Sequence, residues 1–124
     1  MRTADAKNAV LIWEPDVLVA EDLKQIVTSS SGAQVDVHRS FREFKDAWTK
    51  LQTLVGCVIL PANAAAGEAL DLVVQIGASS VQVVLTGGTE GSTITGLPFS
   101  YVALSKPFTE EMVAAVLPDF GSSI

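Results

Sequence analysis

Four short runs of the sequence are apolar at nearly every position, and this pattern restricts the fold more than any other feature of the chain. The runs span residues 9–13, 55–60, 81–86 and 101–105. A strand with one face in water alternates apolar and polar residues, whereas a strand covered on both faces does not. The four runs therefore predict buried strands of a parallel sheet, and a weaker run at 34–38 predicts a fifth strand at an edge.

Segments with the spacing of amphipathic helices separate these runs. Over 16–29 apolar residues recur at helical intervals, and Gly32 lies just beyond the segment as a helix stop. The apolar positions are Val19, Leu23, Ile26 and Val27. A second helix is predicted after Ser40, because Ser40 and Glu43 form a capping box that satisfies free backbone N–H groups.

Two more helices are predicted further along the chain. One runs over 65–76 and stops at Gly77. Its inward residues should be Leu70, Val73 and Val74. The other begins after Thr109, an N-cap residue followed by two glutamates, and ends before residue 118. Over 87–98, four glycines and three threonines oppose helix formation, so a helix there should be short or irregular.

Strands that alternate with helices predict an α/β fold, in which a parallel sheet has right-handed crossovers and helices on both faces. At 124 residues the chain has room for one such domain, which we expect to span residues 1–124. The composition agrees, because 48% of the residues are hydrophobic and 18% are charged, which is enough apolar surface for an ordinary core.

Charge and cysteine content narrow the partners and the compartment. Eight basic and fourteen acidic residues give a net charge of −6, so we expect neither nucleic acid nor membrane as a partner. Cys57 is the only cysteine and lies within an apolar run, which indicates a small buried hydrophobe in a reducing compartment. The first apolar run is too short for a signal peptide or a membrane span, and we expect a cytoplasmic protein.

Ligands of such a sheet bind outside the carboxyl ends of its strands, so the residues that follow the runs are the candidates for chemistry. They lie at 14–16, 61–63, 86–88 and 106–108, and among them are Glu14, Pro15, Asp16, Pro61, Thr86, Lys106 and Pro107. The acids Glu14 and Asp16 are better explained by the preference of helix N-termini for acids than by a metal site, and we expect Asp16 to be an N-cap. His38 is the only histidine, and a structural role is expected for it.

Three segments resemble the receiver domains of two-component response regulators. They are VLIWEPDVLVAE at 10–21, VVLT at 83–86 and LSKPFT at 104–109, and the resemblance covers essentially the whole chain. It implies a flavodoxin-like, three-layer sandwich whose five parallel strands have the order 2-1-3-4-5. In that family an Asp at the end of the third strand accepts a phosphoryl group. Mg²⁺ is held by this Asp and an acidic pair, and a Thr or Ser and a Lys contact the phosphate.

The chain departs from the family where the chemistry would occur. Pro61 stands where the acceptor Asp is expected, and it has no nucleophile and no side-chain oxygen. Pro15 replaces one member of the acidic pair, so that Glu14 remains and Asp16 lies one residue further along; Mg²⁺ binding should be weak or absent. We therefore expect a degenerate receiver, a pseudo-receiver without enzymatic activity or cofactor, which serves phosphorelay signalling as a phosphorylation-independent protein interaction module.

Glu14, Thr86 and Lys106 are the matching positions that remain. A Lys at the end of a buried strand needs a counter-charge, and the hypothesis is that Glu14 pairs with Lys106 and fixes the domain in one state. The resemblance also implies a partner face around Tyr101 and from Phe108 to Val116. Its partner is expected to be a signalling kinase, a regulator, or a second copy of the chain in a homodimer.

Two alternatives to this interpretation remain open. In the first, Asp16 or Glu14 accepts the phosphoryl group in place of the missing Asp. In the second, the domain binds a small ligand or nucleotide in the pocket beside Thr86 and Lys106, with help from the glycine turn at 87–88. That turn lacks the spacing and the Lys of a phosphate-binding P-loop, so the signal for a ligand is weak.

Overall fold

Five parallel strands form one sheet in the structure, a computed structural model that describes residues 8–62, 69–79, 81–87, 101–104 and 109–117. The strands are β1 (Ala9–Trp13), β2 (Gln34–His38), β3 (Val55–Pro61), β4 (Gln82–Thr86) and β5 (Val102–Leu104). Their order is β2-β1-β3-β4-β5, which leaves β2 and β5 at the edges. The predicted flavodoxin-like sheet is confirmed, and every strand end lies within one residue of its predicted position.

Four helices lie against this sheet within the described residues. They are α1 (Val17–Ser31), α2 (Phe41–Leu51), α3 (Leu70–Gly77) and α4 (Glu110–Val116). The predicted start of the third helix, at 65–68, lies outside the described residues. The predicted short or irregular helix of the glycine-rich segment also lies outside them, from residue 88 onward. None of the described helices combines the length and the apolar character that crossing a membrane requires.

Polar side chains fix where the helices begin. Asp16, Ser40 and Thr109 are the N-caps of α1, α2 and α4, and each accepts hydrogen bonds from the first helical turn. Ser40 Oγ accepts from the N–H of Glu43 at 3.2 Å, as the capping box predicts. Helix α1 ends at Gly32, whose φ of 70° lies in the left-handed region that glycine adopts without strain.

Apolar side chains on both faces of the sheet explain why the strand sequences do not alternate. In β1, Leu11 points to the side covered by α2 and α3, whereas Val10 and Ile12 point to the side covered by α1 and α4. The same division applies to β3, where Val58 and Ile59 lie in opposite cores. The sheet is therefore the middle layer of three, and its central strands have no face in water.

The inward face of α3 differs from the prediction. Its buried residues are Leu72, Val73 and Ile76. Leu70 and Val74 are only half-buried, because α3 rests on the sheet with the stripe of Leu72, Val73 and Ile76, and the other two residues fall at the border of that stripe. Gly77 is the last helical residue and not the cap. The cap is Ala78, which keeps a right-handed conformation with φ of −78°.

Cys57 lies in the middle of β3 and has no exposed surface, as the sequence predicts. Burial raises the pKa of its thiol from 9.0 to about 12, because a thiolate in this position would lose its hydration. Its Sγ lies 3.9 Å from the carbonyl oxygen of Val58. The residue therefore acts as part of the core.

A thiol reagent should label Cys57 only when the chain unfolds. The thiolate is the reactive form, and both burial and the raised pKa suppress it in the folded protein. The unfolded thiol ionises near pH 9 and the folded one near 12, so its contribution to the free energy of unfolding should fall as pH rises through this window. Labelling rates with and without denaturant measure the effect. Rapid, complete labelling of the folded protein at neutral pH would contradict the burial.

Candidate functional site

Three predicted site residues lie together at the carboxyl end of the sheet, where β1, β3 and β4 end. Glu14 follows β1, Pro61 is the last residue of β3, and Thr86 is the last residue of β4. Pro61 and Thr86 are paired directly across the two strands, and β1 lies on the other side of β3. Lys106 and Pro107 lie outside the described residues, so their part in the site remains a prediction.

The side chain of Thr86 is turned toward the neighbouring strand. The residue is buried, and its Oγ1 donates a hydrogen bond to the carbonyl oxygen of Leu60 at 3.3 Å. The next residue, Gly87, has a φ of 76° and donates its N–H to the carbonyl oxygen of Leu104 at 3.2 Å. The hydroxyl of Thr86 therefore joins the ends of β3 and β4, and Gly87 joins β4 to β5.

Glu14 is buried, with an exposed fraction of 2%, and both its backbone and its side chain are held. Its N–H donates to the carbonyl oxygen of His38 at 2.9 Å, which continues the pairing of β1 with β2 by one residue. Its Oε2 accepts a hydrogen bond from the N–H of Asp16 at 3.0 Å. The side chain of Glu14 thus stabilises the turn that leads from β1 into α1.

Asp16 is exposed and caps α1, as the sequence predicts. Its Oδ1 accepts hydrogen bonds from the N–H groups of Leu18 at 2.9 Å and Val19 at 3.3 Å. Between the two acids, Pro15 is exposed and has no polar side-chain atom. Both acids at this end of the sheet are therefore bound to the backbone of the β1–α1 turn.

Replacing Asp16 by alanine should lower the free energy of unfolding by about 1 kcal/mol, because two N–H groups of α1 lose their acceptor. Urea denaturation measures the difference. The matched control is D22A, which removes the same charge from an exposed position inside α1 and should change stability by less than about 0.5 kcal/mol. Equal losses in the two variants would mean that the cap has no stabilising effect.

The described residues at the carboxyl end of the sheet do not match the ligands that Mg²⁺ requires. Mg²⁺ binds several oxygen ligands in a near-octahedral arrangement. Two of the positions that the resemblance implies as ligands are Pro15 and Pro61, while Glu14 Oε2 and Asp16 Oδ1 accept backbone hydrogen bonds. In the described parts of the chain, no three His, Cys, Asp or Glu side chains are grouped so that they could hold a metal ion.

A polar pair on β2 is the feature that sequence reasoning misses. His38 Nε2 and Asp36 Oδ2 lie 3.1 Å apart, on the face of β2 that turns toward α2. Val35 and Val37 lie on the opposite face and pack against the core beneath α1. The alternation of polar and apolar residues over 34–38 is the signal that places Asp36 and His38 side by side.

Two grooves flank β2, one on each face of the sheet. The groove between β2 and α2 has a volume of about 420 Å³, and Asp36 and His38 line it. The groove between β2 and α1 has a volume of about 370 Å³. Val35 and Val37 line it together with Asp36 and with charged residues around its opening, which are Glu21, Lys24, Arg39 and Glu43. Neither helix therefore fully covers this edge strand.

Solved structures of response regulators have the same architecture. A receiver domain protein from Clostridium thermocellum matches with a TM-score of 0.72 at 15% identity, over 87% of this chain and 89% of that one. A receiver domain protein from Bacillus halodurans gives 0.68 at 21%, over 87% and 92%. The REC domain of the PhyR response regulator from Erythrobacter litoralis gives 0.67 at 24%, over 91% and 88%. These identities show the fold alone. No protein-family model matches the sequence, and no curated protein matches it significantly.

Proposed function

We propose that this chain is an atypical receiver-like domain of two-component signalling, which works by protein contact and without phosphorylation. The fold that it shares with response regulator structures supports a place in such signalling. The residues at the carboxyl ends of its strands support the independence from phosphorylation. The two arguments use different observations, so each can be tested separately.

The observation that carries the proposal is the residue at the end of β3. Phosphoryl transfer to a protein needs an acceptor oxygen that attacks in line, together with groups that stabilise the negative charge. Pro61 has no side-chain oxygen, and the hydroxyl of its neighbour Thr86 is directed to the carbonyl oxygen of Leu60. The last residue of this central strand therefore offers no acceptor.

The contacts of the two acids after β1 oppose the alternative of a displaced acceptor. Asp16 caps α1, and Glu14 is buried with its Oε2 on the N–H of Asp16. An attack on phosphorus through Glu14 Oε2 or Asp16 Oδ1 would first have to break these bonds. The second alternative, a small-ligand site beside Thr86 and Lys106 with the glycine turn at 87–88, stays a prediction, because Lys106 and residue 88 lie outside the described residues.

The proposal includes a fixed conformation of the strand ends. The bonds of Glu14 and Asp16 fix the turn from β1 into α1, and the bond of Thr86 joins the ends of β3 and β4. A pairing of Glu14 with Lys106 would add to this arrangement, and it stays a prediction because Lys106 lies outside the described residues. A domain held in one state can bind a partner constitutively.

We further propose a non-enzymatic role in the cytoplasm. The acids at the site bind backbone N–H groups, which is a structural use of these side chains. The lone thiol of Cys57 is buried and suits a reducing compartment.

The proposed partner face lies at the β5 edge of the sheet and includes α4. Val113 of α4 is buried, and Tyr101 before β5 is half-buried. The exposed residues of α4 are Glu110, Glu111, Ala114 and Ala115. Glu110 and Glu111, at the exposed start of α4, favour a partner with basic residues around its contact surface, whether this is a kinase or another regulator. A second copy of the chain is the remaining candidate partner for this face. Phe108, which the sequence also predicts to belong to the face, lies outside the described residues.

The test is partner binding with and without phosphodonor. The immobilised protein should capture the same signalling partner from native lysate whether or not Mg²⁺ and a small phosphodonor are present. With the purified partner, A115R on the exposed side of α4 should weaken binding by about tenfold or more, a loss of roughly 1.4 kcal/mol. Q52R, which adds the same side chain at an exposed position after α2, should leave binding unchanged. Capture that depends on the phosphodonor would contradict the proposal.

A further inference from the structure

The outer edge of β2 carries backbone hydrogen-bonding groups that point away from the sheet. Gln34 donates its N–H to the carbonyl oxygen of Asn8, and the carbonyl oxygen of His38 accepts from the residue after β1, so both residues bond toward β1. The N–H and C=O of one residue point to the same side of a strand, and successive residues alternate. Val35 and Val37 therefore direct their N–H and C=O groups to the open edge.

No described residue covers this edge fully on either face of the sheet. β2 is the first strand in the sheet order, so no further strand of the described chain pairs with it. The grooves that flank it, about 420 Å³ beside α2 and about 370 Å³ beside α1, leave room for the side chains of an added strand. An open edge of this kind pairs readily with another extended segment unless its side chains oppose the pairing.

We propose that β2 pairs in antiparallel orientation with β2 of a second copy of this chain, with Val37 on the two-fold axis. In such a symmetric interface the same patch serves both copies. The N–H of Val37 would donate to the carbonyl oxygen of Val37 in the second copy, and the reverse bond would follow by symmetry. The two sheets would then form one continuous sheet.

The polar side chains on the α2 side of β2 select this register. With Val37 on the axis, Asp36 of each copy lies opposite His38 of the other. If the strands shifted so that Asp36 lay on the axis, the two Asp36 carboxyl groups would face each other. Opposite charges or hydrogen-bonding partners across antiparallel strands stabilise the pair, and like charges directly opposite destabilise it. Asp36 and His38 already lie 3.1 Å apart within one chain, so a dimer would place four alternating partners in one cluster.

The second copy is favoured over an unrelated strand because β2 is complementary to itself. Its α2 side supplies both the acid and the imidazole of each cross-strand pair, and its α1 side supplies Val35 and Val37, which continue the apolar core. The partner face proposed above lies at the opposite edge, beside β5. Pairing through β2 would therefore leave that face free on both copies.

Amide hydrogen exchange combined with sedimentation equilibrium tests the proposal on the natural chain. Sedimentation should show a monomer–dimer equilibrium. As the dimer forms, the amides of Val35 and Val37 should gain protection, whereas those of Asp36 and His38 should not change because they already face β1. A monomer at every accessible concentration would overturn the proposal. So would a dimer whose newly protected amides lie in α4 or β5.

Charge variants of β2 test the register. H38D places a carboxylate opposite Asp36 of the other copy, and it should raise the dimer dissociation constant by about tenfold or more. The exchange variant D36H/H38D has the same composition as the natural chain and restores both cross-strand pairs, so it should restore the dimer. D22H, on an exposed position of α1, should have no effect.

Unfolding curves of the same variants separate loss of the interface from loss of the fold. Each variant should be folded, whether it is a monomer or a dimer, and should show a cooperative unfolding transition. A dimer that survives H38D, or a D36H/H38D chain that is folded but stays monomeric, would overturn the proposed register.

Discussion

Mixed with Mg²⁺ and acetyl phosphate, the P61D variant should remain unlabelled, as should the natural chain. The substitution returns a carboxylate to the end of β3, but an acceptor alone is not sufficient. Pro15 still leaves no ligand at one of the acidic positions, and Asp16 Oδ1 stays bound to the first turn of α1. Mg²⁺ needs several oxygen ligands to neutralise the phosphate oxygens during the transfer. Phosphoprotein electrophoresis or intact mass spectrometry measures the result.

Three control variants make this experiment decisive. P15D/P61D supplies both missing carboxylates and should gain a Mg²⁺-dependent label that hydroxylamine removes, because the product is an acyl phosphate. P61A changes the backbone of the position without adding an oxygen and should stay unlabelled. D16N tests the displaced acceptor, since any label on the natural chain that disappears in D16N would favour that alternative. Rapid labelling of P61D alone would show that the acid pocket is more complete than its described contacts indicate.

The largest loss of stability should follow from F44A in α2. Phe44 is 1% exposed and lies at the centre of the core between the sheet and α2, with its ring centroid 6.1 Å from that of Trp13. Removing a buried phenyl ring costs about 3–5 kcal/mol through lost transfer free energy and the cavity that remains. A domain of this size has a total free energy of unfolding of about 5–15 kcal/mol. Urea denaturation should therefore show F44A close to the limit of folding.

Phe41 provides the matched control for F44A. Its ring lies closer to Trp13, with a centroid distance of 5.5 Å, but the residue is only half-buried. If burial decides the loss, F41A should cost about 1–2 kcal/mol, clearly less than F44A. If contact with the indole ring decides it, the order of the two variants should be reversed. The comparison therefore separates burial from aromatic contact at one tryptophan.

The sheet could be predicted from the sequence because burial on both faces leaves a strong pattern. Ala9–Trp13 and Val55–Pro61 are apolar almost throughout, and such runs have few alternatives in a chain of this length. The helix starts at Ser40 and Thr109 could be predicted as well, because capping depends on neighbouring residues in the sequence. The position of Pro61 at the end of β3 could also be predicted, because the apolar run of this strand leads directly up to it.

Features that depend on contacts between distant segments could not be predicted. The inward stripe of α3 is set by how the helix rests on the sheet, so Leu70 lies at its border although it is apolar. The hydrogen bond from Thr86 to the carbonyl oxygen of Leu60 joins residues on different strands, and no local pattern indicates it. Of the two acids after β1, only Asp16 could be predicted fully, because an N-cap depends on neighbouring residues in the sequence. The burial of Glu14 depends on contacts with distant segments and could not be predicted.

Pro61 has a mechanical effect in addition to its lack of an oxygen. Its ring restricts the backbone torsion before Cα and removes the N–H group, so the last residue of β3 has fewer conformations than any other residue would have there. Switching between two arrangements of the strand ends would require a flexible backbone at this position. Rigidity and chemical inertness therefore coincide in one side chain, and a redesigned chain that regained the carboxylate would regain freedom of movement with it.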